Sequence, residues 1–89
     1  MIEKSIVITN NTGLHARPAA EFVQVATKFK SKIKVSKAGH EVDARSIVSV
    51  LSLGVGKGTE ITLKAEGEDE QAAINALVAL IQSNFGEGD

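Results

Sequence analysis

Cysteine, tryptophan and tyrosine are all absent from the 89 residues, and proline occurs once. Without thiols there is no disulfide framework, no cysteine-based zinc site and no thiol nucleophile. Two histidines set far apart add no metal-ligand cluster, so neither a metal nor a cofactor is expected. Three phenylalanines are the whole aromatic content, which leaves little surface for stacking bases. Charge of one sign is missing too: ten basic residues face eleven acidic ones, a formal net charge of -1. No global field therefore draws the chain to nucleic acid or to an anionic membrane. Nothing approaches the run of about 18 apolar residues that a membrane span requires. The start, Met1-Ile2-Glu3-Lys4-Ser5-Ile6, lacks the regions of a signal peptide, and a cytoplasmic location is expected.

What remains, 43% hydrophobic and 24% charged residues, is the make-up of an ordinary globular protein, and the length suits one domain over residues 1–89 with a single core. Its one proline is the most informative residue. Pro18 fits only the first turn of a helix, so a helix should start within a residue or two of Ala16, with His15 at its positive end. First-turn amides lack internal acceptors and, with the aligned peptide dipoles, form an anion site to which Arg17 adds a full charge. A phosphoryl group on the His15 ring would sit where these fields converge, although a histidine before a helix also fits a capping or solvated role.

The pattern from Lys4 to Thr9 alternates, placing Ile6 and Ile8 on one face of a first strand. Asn10-Asn11-Thr12-Gly13 is turn chemistry; its glycosylation sequon is discounted because no secretory route is expected. A helix over residues 16–28 carries Ala19, Phe22, Val23 and Ala26 as its apolar stripe. Ile33 and Val35, then Val42 and Ala44 after a turn at Ala38-Gly39, read as a hairpin, with His40 solvated beside the turn. Ser46 is a good cap for a short helix over residues 47–53, and Gly54 a good terminator. Apolar residues spread around most of that helix, so either it is well buried or Ile47, Val48 and Leu51 stay outside as a partner surface while Val50 and Leu53 turn inward. The run from Gly54 to Gly58 lacks the spacing of a phosphate-binding loop. Thr59 to Glu66 gives the cleanest strand pattern, and Asp69 can cap a last helix with Ile74, Leu77, Val78 and Ile81 on one side, ending near Phe85 and leaving a frayed tail over residues 86–89. The order β-α-β-β-α-β-α implies an α+β fold of two layers, an antiparallel sheet with all three helices on one face.

Gly13-Leu14-His15-Ala16-Arg17-Pro18 resembles the active-centre signature of the HPr family, the histidine-containing phosphocarriers of the bacterial phosphoenolpyruvate-dependent sugar phosphotransferase system. Ser46-Ile47 followed by Leu51-Ser52-Leu53-Gly54 resembles that family's regulatory serine and its short helix, about thirty residues on. The resemblance spans essentially the whole chain and implies an open-faced β-sandwich with a four-stranded sheet in the order 1-4-2-3. It also implies that His15 takes a phosphoryl group on Nδ1 from enzyme I and passes it to enzyme IIA domains, with Arg17 neutralising the group and amides near Ala16 and Arg17 binding its oxygens. A carrier of this kind is not an enzyme that turns over alone. Ser46 would be a regulatory phosphorylation site for an HPr kinase/phosphorylase, read out by a transcriptional regulator. Docking is expected on Ile47, Val48, Leu51 and Ala20 of a monomer. Arg45, Ser49 and Glu21 depart from residues common in the family. Two other readings fit the chain less well: a regulatory module that carries no sugar flux, which would not need His15, and a small independent enzyme, for which no second catalytic group is visible.

Overall fold

The computed structural model describes residues 1–86. Four strands, β1 (Ile2–Val7), β2 (Lys32–Lys37), β3 (His40–Asp43) and β4 (Glu60–Glu66), alternate with helices α1 (Ala16–Thr27), α2 (Ile47–Ser52) and α3 (Glu70–Gln82). A 3-10 turn over Asn84–Gly86 follows α3. The sheet order is β1-β4-β2-β3, antiparallel at every junction, as the resemblance implied. Alternation along the strands sorts the two faces. Ile33, Val35, Ile61, Leu63 and Ala65 are buried beneath the helices, while Lys32, Lys34, Ser36, Thr62 and Lys64 stand on the open face. There Lys64, flanked by Lys34 across the strand pair, is held by Glu41 at 3.1 Å and Glu3 at 3.6 Å. Those carboxylates, Glu41 above all, raise its pKa.

The helices close the other face with Ala19, Phe22 and Ala26 of α1, Val50 of α2 and Ala73, Ile74, Leu77 and Ile81 of α3, all buried. Phe85, left-handed at φ 55, folds back into this core. Of the frayed tail expected over residues 86–89, Gly86 instead donates to the Ser83 carbonyl, and residues 87–89 lie outside the described residues.

Strand β1 runs two residues earlier than its apolar alternation predicts. Lys4 lies between Ile2 and Ile6 in the alternation, and at a sheet edge its ammonium reaches water, so the polar residue interrupts the sequence pattern but not the strand. Ile8 keeps its predicted place in the core beyond the strand end, pairing with Thr59 and Gly58.

Asp69 does not cap α3 with its side chain. Its carboxylate instead accepts from the amides of Lys30 (2.8 Å) and Ser31 (2.9 Å) and from the Ser31 hydroxyl, tying the start of α3 to the loop that enters β2. Glu70 takes over at the helix start, accepting from the Gly67 amide at 3.1 Å. The Ser31 hydroxyl and then the two backbone donors hold the Asp69 carboxyl below its ordinary pKa; the Gly67 amide does the same for Glu70, helped by the terminal ammonium. A carboxyl depressed in the folded state contributes stability that is complete above its unfolded pKa and lost as pH falls through the folded one. Chemical denaturation should therefore show stability declining on acidification from roughly pH 5 downward. Asp69→Asn should be less stable at neutral pH and show a shallower acid decline, with the remaining slope owed in part to Glu70.

Candidate functional site

Residues 10–13 turn the chain from the first strand toward α1. Gly13 donates to the Asn10 carbonyl at 3.3 Å, and Leu14 donates to the Val55 carbonyl at 3.0 Å while its side chain enters the core. Gly13 itself is left-handed, at φ 67, and packs against Val55 and Gly56. This anchored approach delivers His15 as the N-cap of α1, in extended backbone at φ -137 and ψ 148. Its ring is exposed and makes no capping hydrogen bond, which removes the capping role that the sequence had left open.

Ala16 follows at φ 50, a conformation that costs a non-glycine residue about 1–3 kcal/mol. Nothing in the sequence marks it, because alanine is the best helix former and gives no sign of a left-handed turn. Arg17 is exposed, and among the described residues no carboxylate lies within ion-pair distance of its guanidinium. Pro18 is buried in the first turn, where its missing N–H does no harm. An accessible imidazole, an uncommitted cation and the start of a twelve-residue helix thus lie in consecutive residues. Fields of this kind favour a bound anion by roughly 0.3–2 kcal/mol each.

Ser46 caps α2 as expected, its hydroxyl accepting from the Ser49 amide at 3.3 Å. Ser46→Ala should lower stability by about 1 kcal/mol, measured by denaturant unfolding. At the other end of α2, Gly54 turns left-handed at φ 63, as expected of a terminator, and Lys37 Nζ adds bonds to the carbonyls of Leu53 (3.1 Å) and Gly54 (3.0 Å) from sixteen and seventeen residues away. Of the two arrangements open for α2, the structure has the exposed one. Val50 is 0% and Leu53 6% exposed, against 37% for Ile47, 75% for Val48 and 40% for Leu51. Ala20 is half-buried, so it contributes less to this surface than the three α2 residues. His40 is exposed as the first residue of β3, opposite Lys37, and so belongs to the strand rather than to the turn.

A depression of about 250 Å³ lies between Lys32, Lys34, Asp43 and Arg45 and shares no residue with the site. Among the described residues no group of three or more His, Cys, Asp or Glu side chains could hold a metal ion. No helix there is long and apolar enough to cross a membrane.

Residues 2–83 match the family described as PTS HPr component phosphorylation site. The chain is 46% identical over 89 residues, all of both chains, to the phosphocarrier protein HPr of Cupriavidus necator. It is 50% identical over 82 residues to the HPr-like protein Crh of Halalkalibacterium halodurans, covering 92% of this chain and 98% of the relative. The crystal structure of HPr-C-His from Thermoanaerobacter tengcongensis superposes with a TM-score of 0.96 at 57% identity, over 98% of each chain. With its sheet order, its helix-start histidine and these relatives in agreement, the chain belongs to the HPr family of phosphocarriers of the phosphotransferase system.

Proposed function

We propose that this protein carries a phosphoryl group on His15 from phosphorylated enzyme I to sugar-specific enzyme IIA domains. The observation that supports this most directly is the ring of His15, exposed and unbonded at the start of α1 with the unpaired Arg17 two residues on. A neutral imidazole nitrogen attacks phosphorus, the bond to the donor breaks, and the resulting phosphoramidate remains a good donor. In this reading Nδ1 forms the bond, Arg17 neutralises the oxygens, and the amides of Ala16 and Arg17 bind them. No acid–base partner stands beside His15 in the sequence, which suits a carrier whose partners complete each active site. The protein acts in the cytoplasm, as a monomer, and is not an enzyme by itself.

Ile47, Val48 and Leu51 serve as the apolar docking surface for both partners, with Ala20 at its margin. Ser46 supports a second, regulatory reading. A phosphate there would meet the start of α2 yet repel anionic partner surfaces. In this reading an HPr kinase/phosphorylase modifies Ser46 and a transcriptional regulator binds the product. The test is to incubate the protein with phosphoenolpyruvate and catalytic enzyme I, then add an enzyme IIA domain and follow intact masses. One acid-labile phosphoryl group gained and then lost to the IIA domain is expected. A protein that stays unmodified with several enzyme I sources, yet gains phosphate from ATP and HPr kinase, would replace the carrier by the regulatory reading.

A further inference from the structure

Asn10 takes no part in the chemistry above, yet its side chain is sealed in the interior at 0% exposure. Burial of a carboxamide is unfavourable unless hydrogen bonds compensate it. Asn10 Nδ2 donates to the Gly13 carbonyl at 3.0 Å and to Thr12 Oγ1 at 3.3 Å. The Asn10 backbone carbonyl accepts from the Gly13 amide at 3.3 Å, so one residue grips both polar groups of Gly13. Leu14 is fixed next, by Val55 and by burial.

His15 follows with no side-chain bond to hold it, and its place is set by the backbone that delivers it. Ala16 then turns left-handed at φ 50. Such a conformation persists where the surroundings over-determine it. Here the buried Pro18 lies on one side, and the chain of contacts from Asn10 through Gly13 and Leu14 to Val55 lies on the other.

We propose that Asn10 is a positioning residue for phosphoryl transfer at His15: its buried carboxamide holds the Gly13 peptide, and through it the Ala16 turn that aims the imidazole and the first-turn amides at one incoming group. The proposal rests on His15 being the acceptor. Because Asn10 is fully buried it cannot touch enzyme I, so its effect falls on turnover and not on recognition.

The experiment measures enzyme I kinetics with this protein as the varied substrate, comparing the parent with Asn10→Ala and with Asn10→Asp. The aspartate keeps the shape but puts a carboxyl oxygen where the amide donor faces the Gly13 carbonyl. With folding verified by circular dichroism at the assay temperature, kcat should fall on the order of tenfold to a hundredfold with KM unchanged. An unchanged kcat in a folded variant, or a raised KM alone, overturns the proposal. If neither variant folds, exchange of the Asn10 side-chain amide protons in the parent decides: slow exchange by nitrogen-15 NMR is expected, and exchange as fast as that of an exposed asparagine overturns it. A parent that enzyme I does not phosphorylate at all sinks the assignment of His15 itself, an outcome distinct from any ratio between variants.

Discussion

Gly13→Ala is expected to lower both the melting temperature and the rate at which the protein is phosphorylated. At φ 67 the backbone of residue 13 lies where an L-residue is disfavoured by about 1–2 kcal/mol. A Cβ there would stand 2.3 Å from the Val55 carbonyl oxygen and 2.6 Å from Gly56 Cα, closer than such atoms approach, and both neighbours are backbone that cannot swing aside. The turn must move, and the bond from Leu14 to Val55 is the first to be lost, for about 0.5–1.5 kcal/mol more. Together these amount to a drop of roughly 10–20 °C in the melting temperature of a domain this size. Because the same turn delivers His15, phosphorylation by enzyme I should slow even below the melting temperature. Gly39→Ala is the control. Gly39 is also left-handed, at φ 84, but its added Cβ would meet nothing within 4 Å, so only the backbone penalty applies and transfer should be untouched. Equal effects of the two substitutions would show that the packing against Val55 and Gly56 does not fix the turn.

The scaffold was legible in the sequence wherever one local rule decided the outcome. Period-two alternation located β4, the positive-φ residues Ala38 and Gly39 make the tight turn of the hairpin, and Pro18 marked the start of α1 because its ring admits no other helical position. Features that depend on a distant partner were not legible. Asp69 looks like a cap from its neighbours, but amides some thirty-eight residues away claim its carboxylate. The bonds from Lys37 to the carbonyls just beyond α2 are the same kind of contact, while Gly54 marked the end of that helix locally.

At the site, Pro18 put His15 and Arg17 at a helix start and the resemblance of residues 13–18 gave them their roles; the structure leaves both exposed there. The turn residues Asn10 to Gly13 could be read as a turn, yet nothing in their types shows that Asn10 is buried under it or that Ala16 is left-handed. For α2 the sequence allowed two orientations, because apolar residues surround most of a helix of two turns. Packing of Val50 and Leu53 into the core settled which three point outward.

Whether His15 is the residue that accepts phosphate is decided by His15→Ala beside the parent. Exposed and without a side-chain hydrogen bond, His15 can be replaced with little effect on stability, within about 0.5 kcal/mol as for other surface positions. Lost phosphorylation then cannot be put down to unfolding. Both proteins are incubated with phosphoenolpyruvate and catalytic enzyme I, and their intact masses are recorded before and after mild acid. One phosphoryl group is expected on the parent, removed by acid, and none on His15→Ala. Phosphate appearing on His15→Ala to the same extent as on the parent would contradict the assignment of His15.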